Sequence, residues 1–192
     1  MIRCLLAAVF SLGFGLVPAI SAQVPRPSPE YAIQLTTGEQ LLLSQYRGKV
    51  VVLEFLLTDC PHCQRTSETV ERLYKVYGPR GFQALGVAIN EMASMLVTDF
   101  IKRFRLTFPV GFSARDQAGG YLQHSPMFRM LMPQMVFIDR TGVIRAQYAG
   151  DDKFFTDEEK NTRAMIETLL KEPAAKMAPP STPKPSARKK AS

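Results

Sequence analysis

The run Val50-Val51-Val52-Leu53-Glu54-Phe55 constrains this chain more than any other feature. It is β-branched and almost uniformly apolar, with no alternation to mark a wet face. Such a run reads as a strand buried on both faces, which requires a sheet with layers packed on each side. Glu54 is the exception inside it. Behind the run, Pro61 to Tyr77 has helical spacing, with Val70, Leu73, Tyr74 and Tyr77 on one face, and Gly78-Pro79 stops it.

The rest of the chain supplies the layers. Tyr31 to Leu35 and Leu41 to Leu43 flank a turn signal at Thr37-Gly38, and Arg47-Gly48-Lys49 is a second break. Phe82 to Ile89 is another apolar strand. Met92 to Phe104 has helical spacing, Phe108-Pro109-Val110 is a short extended piece, and Gly111 to Gln123 reads as loop with a short helix. Gln134 to Ile138 and Val143 to Tyr148 form a hairpin about Asp139-Arg140-Thr141-Gly142. Asp157 to Lys171 closes the chain as a helix with acids first and Lys171 last, as the helix dipole prefers. This order predicts an α/β fold, a mixed central sheet flanked by helices on both faces. With 46% hydrophobic and 21% charged residues, the 192-residue chain can fill the core of one such domain.

The ends read differently. Arg3, the apolar stretch Cys4 to Val17 and the small residues Ala19-Ile20-Ser21-Ala22 have the form of an export signal over 1–22. The rival reading is an uncleaved membrane anchor; Gly13, Gly15, Pro18 and the short apolar core favour cleavage. Either way the domain lies outside the cytoplasm, periplasmic or secreted. Residues 23–30, with Pro25, Pro27 and Pro29, form a stiff extended lead-in to a domain over 31–172. Residues 173–192 hold five prolines and no large apolar residue but Met177, the composition of a disordered tail. The net charge of +7 also belongs to the ends. Five of those charges lie beyond Glu172 and one is Arg3, so the middle carries only +1 and offers no nucleic-acid surface.

Once a signal leaves with Cys4, two cysteines remain, in Cys60-Pro61-His62-Cys63. A disulfide over so short a loop gains little as a staple, because that benefit grows with loop length. The pair sits where the buried strand ends and the helix begins. Unpaired N–H groups of the first turn and the positive end of the dipole favour a thiolate at Cys60. Pro61 fits the first helical position, where its missing N–H costs nothing. The i,i+3 spacing brings Cys63 back beside Cys60 to resolve a mixed disulfide. A zinc site lacks ligands at suitable spacing, so no metal is assigned to the pair. Glu54, six residues before Cys60, would be desolvated in a buried strand and fitted to move a proton for Cys63. Its alternative is a strand-end glutamate reaching solvent.

From Thr37 to Arg145 the chain resembles the extracytoplasmic thioredoxin-like proteins of the TlpA type. Thr37 through Lys49 is similar to their opening hairpin, the CxxC pair follows the central strand, and Met132-Pro133-Gln134 before Val136 to Arg140 resembles their cis-proline segment and hairpin. The resemblance implies a thioredoxin-like fold and thiol–disulfide exchange with client proteins, without a cofactor, and a further redox partner that resets the pair. It implies that Pro133 is cis, with Met132 presenting backbone to a bound client. The chain departs from the family in lacking any tryptophan; Leu56-Leu57-Thr58-Asp59 stands where one usually precedes the first cysteine, and Asp59 is expected to face solvent. Pro61-His62 is the dipeptide of the oxidant DsbA, and His62 as a donor or cation beside Cys60 would make the pair more oxidising than thioredoxin.

Two rival functions stand beside exchange. A peroxiredoxin-like peroxidase shares the fold, but Thr58 lies two residues before Cys60 and Leu53 stands where that family keeps proline. Copper binding or delivery is suggested by His124, Met127, Met130, Met132 and Met135, whose soft sulfurs suit Cu(I); the bland reading is that these methionines fill core gaps.

Overall fold

The computed structural model describes residues 23–173. Residues 1–22 and 174–192 lie outside the described residues, and with them the expected signal and nearly all of the basic tail. The elements are β1 (Arg26–Pro27), β2 (Ala32–Gln34), β3 (Gln40–Leu42), β4 (Val50–Leu56), α1 (Pro61–Tyr77), β5 (Phe82–Ala88), α2 (Ala93–Phe104), β6 (Val110–Phe112), α3 (Arg115–Leu122), β7 (Gln134–Ile138), β8 (Val143–Ala149) and α4 (Glu158–Lys171).

One sheet runs in the order β1-β8-β7-β4-β5-β6-β2-β3. β4, β5 and β6 are parallel, while β7, β8 and the outer strands pair antiparallel. β4 is central, and its side chains alternate between two cores as the period of two dictates. Val50, Val52 and Leu56 pack with Val70 and Leu73 of α1, Val97 and Phe100 of α2, and Ile166 and Leu169 of α4. Val51, Leu53 and Phe55 pack on the opposite face with Ala118, Tyr121 and Leu122 of α3. The fold is thus the expected mixed sheet with helices on both faces. Glu54 shares the even-numbered face and points beneath α1 and α4.

Two local readings shift, and a third, the short helix within 111–123, takes its bounds from packing. The proline-rich lead-in is extended, but Arg26 and Pro27 pair with Ile144 and Val143 as an edge strand. An edge tolerates Pro27, whose nitrogen has no hydrogen to donate. Arg26 Nη2 donates to Gln147 Oε1 at 2.7 Å and the Ser28 hydroxyl meets that of Tyr121 at 2.9 Å, so the lead-in also clamps α3. The extended piece at 108–110 becomes a strand only from Val110, beyond Pro109. The helix at 115–122 contains Gly119-Gly120 and has weak intrinsic preference. Burial of Ala118, Tyr121 and Leu122 sets it instead.

Candidate active site

The β4–α1 junction places both cysteines. Cys60 is the N-cap of α1, with extended backbone (φ −83°, ψ 116°), and Pro61 takes the first helical position. The Cys63 N–H donates to Cys60 Sγ at 3.3 Å, so the sulfur satisfies one of the helix's orphan donors. Both thiols are free. They differ in access: Cys60 is half-buried and lines a groove, whereas Cys63 is 0% exposed. Burial pushes the Cys63 thiol far above its ordinary value; the hydrogen bond with Cys60 and the negative charge of Glu54 act in the same direction. The loop before Cys60 is tied down: Thr58 N–H donates to Asn90 Oδ1 at 3.2 Å, and Asn90 and Gln64 donate back to Thr58 oxygens at 3.1 and 3.0 Å.

Glu54 does not reach solvent. Its side chain is 0% exposed, between Gly86 of β5 and Met135 of β7 in the sheet. The Ser67 hydroxyl from α1 lies 3.1 and 3.0 Å from its two carboxyl oxygens. Burial holds this carboxyl well above the usual range, against the Ser67 bond, and the negative charges of Glu158 and Cys60 add to the rise. Burial thus raises the proton affinity of both groups.

Opposite Cys60 lies the segment before β7. Met132–Pro133 is cis. Leu131 O accepts from Gln134 Nε2 at 2.6 Å and from the Gly150 N–H at 3.3 Å, which anchors the segment to β7 and to the end of β8. Between this segment and Leu57, Asp59 and Cys60 runs a groove of about 470 Å³, lined also by Arg115, Arg129 and Gly150. In the loop between α3 and this segment, Met127 and Phe128 are 87% and 72% exposed. Gly150 is required by close approach: a Cβ there would lie 2.2 Å from Met132 O. Gly150→Ala is expected to displace the Met132 backbone and slow exchange on the order of 10–100-fold, as ångström misplacements do. Turnover of a model disulfide, read beside a thermal melt, checks this; full turnover in the variant would show that the segment's position is immaterial.

A family model described as Redoxin matches residues 17–166. The chain belongs to the Redoxin family. The thiol-disulfide oxidoreductase ResA of Geobacillus kaustophilus (strain HTA426) is 31% identical over 123 residues, covering 64% of this chain and 67% of that protein. ResA of Geobacillus thermodenitrificans (strain NG80-2) is 30% identical over the same span. Among solved structures, a thioredoxin-family thiol:disulfide interchange protein from Chlorobium tepidum TLS superposes with a TM-score of 0.64 at 20% identity, covering 76% of this chain and 97% of that one. A DsbF homologue from Corynebacterium diphtheriae gives 0.63 at 17% identity, with 76% and 88% covered. These last two show the fold. Together with the geometry, the relatives make this Redoxin-family chain a thiol–disulfide oxidoreductase with a near Cys60–Cys63 pair.

Other residues singled out in the sequence of this Redoxin-family chain fall as follows. Asp59 is exposed, as expected. The His62 ring stands edge-on to Phe155, with centroids 4.8 Å apart. Burial first, and then Arg65, lower its pKa below 6.5, which works against a cation beside Cys60 at neutral pH. The methionine run does not converge: Met135 is buried in β7, Met130 is buried above α3, Met132 borders the groove and Met127 is exposed, so Met127 fills no core gap. His124 Nε2 lies 3.1 Å from Phe128 O. Among the described residues no three or more His, Cys, Asp or Glu side chains cluster to hold a metal.

Sequence reasoning missed Ser67, Asn90 and Gly150. Ser67 had a signal, since it lies four residues after Cys63 on the stripe that continues to Val70, where a polar side chain needs a buried partner. Asn90 and Gly150 had none, because their partners are 32 and 18 residues away across the sheet.

Proposed function

We propose that the chain exchanges disulfides with client proteins outside the cytoplasm, with Cys60 as nucleophile, Cys63 as resolving thiol and Glu54 as proton acceptor. The observation that carries this is the asymmetry of the pair, one sulfur open to a groove and the other fully buried and subject to the charge of Glu54. Acting as a reductant, Cys60 thiolate attacks a client disulfide and releases one client thiolate, leaving a mixed disulfide. Cys63 then gives its proton to Glu54 and attacks Cys60 Sγ. The second client thiolate leaves, and Cys60–Cys63 is oxidised by the two electrons the client gained. The reverse sequence oxidises a client. No cofactor is required, and a second redox protein returns the pair to its starting state.

The Met132-Pro133 segment, which borders the groove at Cys60, supports binding of an extended client strand. Location outside the cytoplasm rests on the apolar stretch of 1–22, cleaved as a signal or kept as an anchor, and suits a protein whose substrates are disulfides. Among the described residues no helix is long and apolar enough to cross a membrane.

Pro61 and His62 tune the pair: Pro61 starts the helix beneath Cys60, and His62 acts only at acid pH, where its imidazole carries a charge. Equilibration in glutathione buffers is expected to show one two-electron couple, between about −270 mV for thioredoxin and about −120 mV for DsbA. Because burial disfavours the imidazolium, wild type and His62→Gly should coincide above neutrality. Once pH falls through the lowered pKa of His62, the wild type should become more oxidising by about 30 mV, the equivalent of one pKa unit. A wild-type potential at or below thioredoxin's would contradict the assigned poise, and absence of a two-electron couple would contradict exchange through this pair.

A further inference from the structure

The turn that delivers Cys60 to α1 is closed by its own backbone. The Cys60 N–H donates to Leu57 O at 3.2 Å, which makes Thr58 and Asp59 the two central residues. All three polar groups of Thr58 are engaged from outside that turn. Its N–H donates to Asn90 Oδ1 at 3.2 Å and its hydroxyl accepts from Asn90 Nδ2 at 3.1 Å, a two-point grip between residues 32 apart in sequence. Its carbonyl accepts from Gln64 Nε2 at 3.0 Å. Gln64 belongs to the helix that carries Cys60, whereas Asn90 ties the turn to a second element, the loop after β5. Asn90 is itself held. Its Nδ2 also donates to the Glu91 carbonyl at 3.1 Å, which leaves the amide one orientation: turned over, its NH2 would face the Thr58 N–H. Its own carbonyl accepts from the Ala93 N–H at 3.2 Å. Between these contacts Met92 takes left-handed backbone (φ 57°, ψ 19°), a conformation that persists where the surroundings over-determine it.

We propose that Asn90 is a positioning residue for the nucleophile: by gripping Thr58 it fixes the turn that sets Cys60 Sγ at the start of α1 and at the wall of the groove. The proposal rests on Cys60 as nucleophile. Leu57, Asp59 and Cys60 of this turn line the groove, so the residue Asn90 holds lies among those that shape it. Cys60 Sγ accepts the Cys63 N–H at 3.3 Å because the cap residue is kept extended at that point. A thiolate gains more from such a donor than a neutral sulfur does. The grip therefore favours the reduced pair and speeds attack by Cys60. Without the Asn90 amide, the Thr58 N–H and hydroxyl lose their partners at a half-buried place. The turn then gives way toward water, and the sulfur loses its fixed place against the helix.

The test uses the full chain and two readouts on folded protein. One is the rate at which Cys60 of the reduced chain reacts with iodoacetamide at neutral pH, located by peptide mapping; the other is the potential of the pair in glutathione buffers. Asn90→Ala is expected to react about tenfold more slowly and to favour the disulfide about tenfold more, a potential lower by about 30 mV. A group that merely stabilised the fold would lower the melting temperature and move neither readout. Thr58→Val removes the hydroxyl and keeps the N–H, and should show about a threefold part of each effect, the worth of one hydrogen bond. The double variant should match Asn90→Ala, since both changes break the same grip. Wild-type rate and potential in folded Asn90→Ala overturn the proposal, as do effects that multiply in the double variant. If Asn90→Ala fails to fold, Thr58→Val decides, and wild-type values there overturn it. Wild-type protein labelled at Cys63 instead of Cys60 would bring down the nucleophile assignment itself. Label at Cys60 with an indifferent Asn90→Ala removes the positioning role alone.

Discussion

A Cys63→Ser chain is expected to accumulate client proteins bound covalently to Cys60, and a Cys60→Ser chain to capture none. The first attack needs only the sulfur that lines the groove, so it proceeds in Cys63→Ser. The adduct then persists, because the serine hydroxyl at position 63 cannot displace the client from Cys60 Sγ. In Cys60→Ser the remaining sulfur is 0% exposed and its thiol is held protonated by burial, so no encounter with a client disulfide begins. Turnover of a model disulfide should fall on the order of 10³-fold or more in either variant, since the two sulfurs act as a unit. Non-reducing electrophoresis distinguishes them by the adduct ladder. A Cys60→Ser chain that still exchanged disulfides would mean that the nucleophile is misassigned.

Glu54→Gln is expected to separate stability from activity. Folding holds the Glu54 proton to higher pH than the unfolded chain does. Below the ordinary carboxyl range both states are protonated and the burial carries no electrostatic penalty. As pH rises through the window between the unfolded and the folded value, only the unfolded chain ionises, and wild type loses stability until the buried carboxyl ionises as well. Glutamine removes that slope and can still accept the Ser67 hydrogen bond. The two proteins should therefore match near pH 4 and diverge upward, with Glu54→Gln ahead at neutral pH by on the order of 1–3 kcal/mol. Each kcal/mol corresponds to about 2–4 °C in melting temperature for a domain of this size. Resolution of the mixed disulfide should meanwhile slow by about 10²-fold or more, the contribution of a positioned base. Denaturant melts from pH 4 to pH 8 and single-turnover resolution rates check both halves. A variant less stable at every pH, with normal resolution, would make Glu54 a structural group.

Much of this was legible because the decisive patterns are local. An uninterrupted apolar run set β4 between two cores. Proline at the first helical position fixed the start of α1, and the Asp139–Gly142 turn fixed the β7–β8 hairpin. The positions of Cys60, Cys63 and Glu54 followed from those elements alone. What escaped depends on contacts between distant segments. The edge strand at Arg26–Pro27 exists because β8 was left with an open side, and the short helix expected within 111–123 takes its bounds because Tyr121 and Leu122 fill the face opposite α1. The DsbA-like dipeptide suggests His62 as a partner for the Cys60 sulfur, but on the first turn its ring turns to Phe155 of the segment before α4.

The central claim is that one sulfur meets the client and the other waits behind it. Limited alkylation of reduced wild-type protein with substoichiometric iodoacetamide near neutral pH, followed by peptide mapping, tests it most directly. The structure predicts label on Cys60, with Cys63 modified only after denaturant opens the β4–α1 junction. Label on Cys63 first, or on both at equal rates in the folded chain, would contradict it.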